Sequence, residues 1–273
     1  MSNRYRCLAL VLVLAFVAGS GYAGPIIGGF DAARGGRGAL TTGYGFAEAR
    51  GWIAGAYPAA ELREANVLTA GYLSDLDVLC ISPVRGSVGA TPLSAAEQAA
   101  VVSFVAAGGG ALLVTDHCQS PNKFALASRS FVDPFGVSTT GFYNSGSATV
   151  TVTNPSHPVA DGPFGTAAAG HFSYAGWYDD LGSDAVEVGT LPNAGIGIAA
   201  ISPGQLAPTA GGVVCFSDDF IGLSSGNDNR VLFLNALAFV MSEPQGGDAI
   251  PEPTTIGLLA LGGLGLLRRR RER

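Results

Sequence analysis

Basic side chains are scarce over most of this sequence. Between residues 24 and 249 there are 8 arginines and lysines against 19 aspartates and glutamates, which gives this stretch a formal charge of −11. Such an acidic surface repels phosphate backbones and anionic lipid headgroups. We therefore expect no nucleic-acid partner, whereas calcium or a hydrated extracellular matrix is compatible with this charge.

Cysteine is also rare, with 4 residues in the chain. Three of them, Cys80, Cys118 and Cys215, follow the first apolar run, and this odd number allows at most one internal disulfide. Cys80 and Cys215 each lie in a short apolar run typical of a buried strand, where cysteine acts as a small hydrophobic residue. The sequence therefore gives no indication of a disulfide framework.

No apolar run reaches the length of an ordinary membrane-spanning helix, about 20 residues. The first run, residues 7–18, follows Arg4 and Arg6 and precedes Gly21-Tyr22-Ala23, the small-x-small pattern that signal peptidase accepts. We expect residues 1–23 to be a signal peptide that signal peptidase removes after Ala23.

The second run, residues 254–267, is uncharged and is followed by five arginines within the last six residues. Arginines beside an apolar segment resist translocation, so we expect the body of the protein on the exported side, as the signal peptide independently predicts. As a helix the run is about 21 Å long at 1.5 Å per residue. It would span a bilayer only with thinning or snorkelling, which favours a transient transmembrane anchor.

Pro251, Glu252 and Pro253 stand directly before this second run. A Pro-Glu-Pro motif, an apolar stretch and a terminal arginine cluster, in this order, resemble the PEP-CTERM sorting signal. The resemblance implies that an exosortase cleaves near the motif and passes the protein to the cell surface or to an extracellular polysaccharide matrix. The alternative is a plain tail anchor. We interpret residues 250–273 as the sorting tail and residues 24–249 as one domain.

Strand-like and helix-like stretches alternate within that domain. Buried strands are predicted at residues 25–31, 77–82, 111–115 and 211–217, and helices at residues 42–56, 94–107, 122–130 and 229–241. Ser94 and Glu97 form the pattern of a capping box. The glycine-rich, serine-rich and threonine-rich stretch between Phe131 and Gly212 contains shorter segments that we interpret as antiparallel or edge strands. The pattern predicts an α/β fold: a mostly parallel open sheet flanked by helices, with an antiparallel strand-rich insertion.

Three spans resemble the flavodoxin-like, class I glutamine amidotransferase-like fold: residues 75–115, the His157-Pro158-Val159 turn with Gly162, and residues 212–240. They contain a Leu-x-Asp-Val-Leu strand, a helix that ends in a glycine cluster, and a Ser-Asp-Asp-Phe strand end. The resemblance supports the fold and leaves the activity open.

Ionisable residues follow several of the predicted parallel strands. Ligands of open α/β sheets bind beyond the carboxyl ends of the strands, so these residues are expected at one rim. Our candidate binding residues are Asp31, Asp116, His117, Asp218, Asp219 and Asp228.

An enzymatic interpretation takes Cys118 as a nucleophile, His117 or His171 as its base, and a carboxylate as the orienting group, because a thiol needs a base to become a thiolate. The resemblance implies a Gly-x-Cys-x-Gly elbow, but this sequence has Asp116-His117-Cys118-Gln119-Ser120 without either glycine. The alternative is a loop cysteine with a packing role, and we favour a non-catalytic domain.

A metal interpretation places Asp116, Asp218, Asp219 and Asp228 around calcium, which prefers several oxygen ligands. The alternative is that Asp218 caps a turn and that residues 227–229 cap the last helix.

Aromatic side chains offer a further mode of binding. They would stack on the sugar rings of an extracellular polysaccharide or, alternatively, fill the core. The candidates are Trp52, Phe172, Tyr174, Trp177 and Tyr178. Taken together, the sequence predicts an exported surface or matrix protein with a binding or structural domain, the alternative being a cysteine-dependent hydrolase or amidotransferase-like enzyme.

Overall fold

A mixed β-sheet forms the centre of the molecule. The computed structural model describes residues 24–117, 124–139, 146–192, 195–224 and 228–243. The strands are β1 (Ile26–Phe30), β2 (Glu61–Ala65), β3 (Val78–Ile81), β4 (Val84–Arg85), β5 (Val88–Gly89), β6 (Gly110–Val114), β7 (Ser138–Thr139), β8 (Ser147–Val152), β9 (Asp161–Gly162), β10 (Gly165–Thr166), β11 (Ala169–Ser173), β12 (Tyr178–Asp180), β13 (Ala185–Thr190), β14 (Ile196–Ile201) and β15 (Val213–Phe216).

Eleven of the strands in the described residues join into that one sheet. Its parallel half has the order β2-β1-β3-β6-β15. From β15 the sheet continues antiparallel through β14, β13, β8 and β11, and β12 pairs with both β14 and β7. The predicted insertion therefore forms the antiparallel half of the same sheet. Strands β4 with β5, and β9 with β10, make two small separate hairpins.

Six helices accompany the sheet in the described residues. They are α1 (Ala32–Gly35), α2 (Ala47–Ala56), α3 (Ala70–Leu73), α4 (Ala95–Ala106), α5 (Ala125–Val132) and α6 (Asn229–Val240), with short 3-10 turns at Gly36–Gly38, Tyr44–Phe46, Asp133–Phe135 and Asp219–Gly222. None of these helices is long and apolar enough to cross a bilayer. The apolar run predicted as a membrane anchor, residues 254–267, lies outside the described residues.

Two apolar cores form because successive side chains of a strand point to opposite faces of the sheet. Leu112 and Val114 of β6 pack in the core that contains α2 and α6. Ala111 and Leu113 pack in the core on the other face, with α3, α4 and α5. The central strands are thus covered on both faces, which explains why their sequences are almost continuously apolar.

The capping box predicted at the start of α4 is present. The Ser94 hydroxyl accepts a hydrogen bond from the Glu97 N–H at 3.3 Å, and the Glu97 carboxylate accepts one from the Ser94 N–H at 2.9 Å. Glu97 also forms a buried ion pair with Arg34 of α1, whose guanidinium lies 4.4 Å from the centre of the Phe30 ring. This pair links the loop after β1 to the first turn of α4.

Three predicted elements differ in detail from the structure. Helix α2 starts at Ala47, after a 3-10 turn, rather than at residue 42. Helix α5 starts at Ala125, and residues 122–123 of the predicted helix lie outside the described residues. Strand β2 was not predicted. Cys80 and Cys215 are buried in β3 and β15 without a disulfide partner, in the packing role that their apolar surroundings indicate.

Candidate functional site

Three aspartates meet at the carboxyl ends of two neighbouring parallel strands. In the register of β6 and β15, Val114 lies opposite Phe216, so Asp116 and Asp218 follow at matching positions. One carboxylate oxygen from each of Asp116, Asp218 and Asp219 lies within 4.8 Å of the others, and all three residues are buried. We call this group the acidic cluster.

Asp218 serves as a cap in the acidic cluster. Its carboxyl group accepts hydrogen bonds from the Phe220 N–H at 3.1 Å and from the Ser173 N–H. Burial raises the pKa of Asp218 well above its usual range, and the charges of Asp116 and Asp219 raise it further. The environment thus favours the neutral acid, and the turn-capping alternative for Asp218 is what the structure shows.

Asp219 is held by Arg37, which lies 182 residues earlier in the chain. Arg37 Nη2 donates to Asp219 Oδ1 at 3.0 Å, and Nε lies 2.8 Å from Oδ2. Burial raises the pKa of Asp219, and the Arg37 charge opposes that rise. Gly45 makes the close approach possible, since a Cβ atom there would lie 2.7 Å from Asp219 Oδ2.

His117 extends the acidic cluster toward the surface. Its Nδ1 lies 2.5 Å from Asp116 Oδ1, which fixes the orientation of the ring. The ring centre is 5.4 Å from that of Phe124 and 5.8 Å from that of Tyr174. Tyr174 has a φ of 62°, in the left-handed region that a tyrosine rarely adopts.

Two exposed tyrosines lie against the two basic side chains that the acidic cluster holds. Tyr44 is 65% exposed, and its ring centre lies 5.7 Å from Cζ of Arg37. Tyr174, 42% exposed, contacts His117. The Phe220 ring lies 5.7 Å from Cζ of Arg37. We call Arg37, Tyr44, His117, Tyr174 and Phe220 the rim surface.

The remaining candidate residues have other positions. Asp31 accepts a hydrogen bond from the Arg34 N–H at 2.9 Å and caps α1. Asp228 is exposed and precedes α6 without a side-chain capping bond, because its φ of 64° differs from that of an ordinary N-cap. Neither belongs to the acidic cluster. Cys118 lies outside the described residues, as does the Pro251-Glu252-Pro253 motif.

His171 lies in the edge strand β11 and is held by its backbone. Asn229 accepts from the His171 N–H at 2.6 Å and donates to the His171 carbonyl at 2.8 Å. The Asn229 amide thus occupies the place of a neighbouring strand. The His171 ring packs edge-on against Phe220, 6.1 Å between ring centres.

Most of the aromatic residues considered for sugar stacking fill the cores instead. Phe172, Tyr178 and Trp52 are buried, so their faces are closed to a ligand. Tyr174 is the exposed member of that set. Arg37 and Tyr44 were not among the sequence candidates. Their one signal is the position of Arg37 in the glycine-rich loop that follows the end of β1.

The charges in the acidic cluster are largely balanced from within the protein. Arg37 neutralises one carboxylate, and the raised pKa of Asp218 favours a proton on another. Three carboxylates this close also resemble an oxygen-ligand set for calcium. With Arg37 in place, the arrangement is better suited to fixing Arg37 and His117 at the rim surface.

Comparisons with solved structures agree on the class of fold. The mmIFT52 N-terminal domain is 13% identical, with a TM-score of 0.56 over 82% of this chain and 98% of its own. Cytoplasmic protein STM3548 from Salmonella typhimurium is 14% identical, with a TM-score of 0.54 over 79% of this chain and 98% of its own. A putative GMP synthase protein from Thermoplasma acidophilum is 13% identical, with a TM-score of 0.51 over 80% of this chain and 94% of its own.

These likenesses show the fold alone. They confirm the predicted α/β class and its glutamine amidotransferase-like architecture. Residues 249–271 match the PEP-CTERM protein-sorting motif, which confirms the motif seen in the sequence and indicates exosortase-dependent export and sorting to the cell surface. No curated protein matches the chain.

Proposed function

We propose that this protein is a non-catalytic binding protein of the cell surface or extracellular matrix, and that its rim surface binds an extracellular polysaccharide. Signal peptidase removes residues 1–23, the second apolar run anchors the chain transiently in the membrane, and exosortase then processes the tail near Pro251. The sorting motif supports the delivery of the domain to the place where such polysaccharides occur.

The observation that carries the binding proposal is the layered order of the site. At its base, the buried acidic cluster holds Arg37 and His117. Above them, Tyr44 and Tyr174 expose their rings at the surface. Aromatic rings pack on the apolar face of a sugar, and Arg37 and His117 supply N–H donors for its oxygen atoms. The three aspartates act as positioning residues because they are too buried to reach a ligand themselves.

Two substitutions separate binding from folding. Tyr174→Gly removes the ring and suits the left-handed backbone, which costs a non-glycine residue about 1 kcal/mol. Tyr44→Ala removes a ring that is mostly in water. We expect the double variant to keep its thermal midpoint and to lose at least tenfold in affinity for a polysaccharide that the full chain binds, measured by affinity electrophoresis across a polysaccharide panel.

Val102→Ala is the matched control, because Val102 is an exposed apolar residue on α4. It should bind like the unchanged protein. A double variant that binds every polysaccharide as well as the unchanged chain would refute the role of the rim surface.

A second candidate function is the cysteine-dependent hydrolase. The close contact between His117 and Asp116 favours it, since a catalytic histidine needs an orienting carboxylate, and Cys118 is the next residue. A thiol-labelling assay separates the two functions. Burial raises the pKa values of Cys80 and Cys215 to about 12, so both should stay unlabelled in the native protein. Rapid labelling of Cys118 below pH 7 would favour the hydrolase, and ordinary thiol reactivity would favour the binding protein.

A further inference from the structure

The two ends of the described chain meet at one edge of the sheet. Gly24 and Pro25, which lead into β1, line a groove of about 740 Å³ together with Met241, which follows α6. Asp77 and Gly109, at the starts of β3 and β6, line the same groove. The end of α6 also packs against the beginning of β6, because a Cβ atom on Gly110 would lie 2.6 Å from the Val240 carbonyl oxygen. We call this edge the base of the domain.

The rim surface lies at the opposite edge. Asp116 and Asp218 follow the carboxyl ends of β6 and β15, whereas the groove lies at the amino ends of β1, β3 and β6. A five-residue strand such as β6 separates the two edges by about 17 Å at 3.3 Å per residue. The base and the rim surface thus face in opposite directions.

Only a short stretch of chain joins the base to the sorting motif. Glu243 is the last described residue, and the motif begins at Pro251. Seven intervening residues span at most about 25 Å when fully extended. A domain of this size has a radius of gyration of about 17 Å, so the path around its surface from base to rim is about 70 Å. The linker is too short to reach around the domain.

We infer that the domain stands on its base while it is anchored, so that the rim surface faces away from the membrane. This inference rests on the proposed function, because it takes the C-terminal tail as the anchor. Any later attachment near Pro251 would use the same edge of the domain. The rim surface would then remain turned toward the polysaccharide outside the cell.

Energy transfer in reconstituted vesicles tests this orientation. The full chain carries Cys7→Ser and Cys118→Ser, with one donor-labelled cysteine at Ala107→Cys in the base groove or at Val88→Cys on the hairpin beyond β3. Both positions are exposed. Acceptor lipids mark the bilayer surface. We expect clearly higher transfer from position 107 than from position 88.

A lengthened linker provides the control. Twenty glycine and serine residues after Glu243 add a root-mean-square span of about 25 Å, which should reduce the difference between the two probes. Equal transfer from the two positions, or higher transfer from position 88, would overturn the orientation and leave the anchor intact. Absence of transfer from both positions would show that the tail does not hold the chain at the bilayer. That result would overturn the proposed anchor and this inference with it.

Discussion

At the residue scale, Arg37 decides whether the acidic cluster is tolerable inside the protein. Burial alone would keep Asp219 protonated, and the guanidinium is the positive charge that opposes this. A carboxyl group with a raised pKa destabilises the fold as the pH rises from its ordinary pKa, 3.8, through its raised value. Removal of Arg37 should therefore cost more stability at neutral pH than in acid.

We expect Arg37→Gln to lower the free energy of unfolding by about 2 kcal/mol at pH 7.5, less than for a fully enclosed pair because Arg37 is partly exposed. Near pH 4 the loss should shrink, since Asp219 is then protonated in the folded state with or without Arg37. Urea unfolding at the two pH values measures the difference.

Arg63→Gln is the matched control for this prediction. The side chains of Arg63 and Arg37 are 33% and 31% exposed, but the Glu61 partner of Arg63 is 57% exposed whereas Asp219 is 2% exposed. The Arg63 variant should show no measurable change at either pH. A loss for Arg37→Gln that is equal at pH 4 and pH 7.5 would contradict the electrostatic explanation.

Local sequence identified some of these residues and could not identify others. Asp116, Asp218 and Asp219 stand directly after apolar strands, and the rule for open sheets brings such positions together. Asp31 follows the same rule, but its side chain satisfies an N–H of its own short helix instead. The contact between Arg37 and Asp219 depends on a loop folding back across the strand ends, which no local pattern encodes.

At the scale of single elements, the predictable ones are those whose local preference agrees with their position in the fold. Strands β3, β6 and β15 are apolar runs because they are covered on both faces. Strand β2 was missed because it lies at the sheet edge, where Glu61, Arg63 and Glu64 are only partly covered and its side chains lack the usual β-branched pattern. Asn229 was considered as a helix cap, but it binds the backbone of β11.

The start of α4 provides a test at this scale. Burial disfavours ionised Glu97, but hydrogen bonds from Arg34 and from the Ser94 and Leu68 N–H groups outweigh it and lower its pKa to about 2. A depressed carboxyl pKa contributes stability that is complete above the ordinary value of 4.5 and is lost as the pH falls toward 2.

Glu97→Gln should therefore destabilise the protein by about 3 kcal/mol at pH 7, because it leaves Arg34 buried without its counter-ion. The difference from the unchanged protein should narrow between pH 4.5 and pH 2.5. Glu48→Gln, an exposed change in the first turn of α2, should have little effect at any pH. A full-sized effect of Glu97→Gln at pH 2.5 would mean that packing, not charge, makes Glu97 important.

At the scale of the whole molecule, transport and binding are assigned to separate parts of the chain. The sorting motif match begins at residue 249, beyond the end of α6, and the rim surface lies at the opposite edge of the sheet. Neither core uses a residue of the tail among its described members. Changes in the motif should therefore alter the destination of the protein without altering the stability of its fold.

Replacement of Pro251, Glu252 and Pro253 by alanine tests this separation. We expect the triple variant to accumulate with an unprocessed tail in the membrane fraction, while its thermal midpoint and polysaccharide binding match those of the unchanged chain. Pro244→Ala, a proline change outside the matched motif, should be sorted normally. If the triple variant reached the cell surface as efficiently as the unchanged protein, the plain tail anchor would be the better explanation of residues 250–273. If it lost thermal stability, the tail would have to pack on the domain, and its base would serve in folding as well as in attachment.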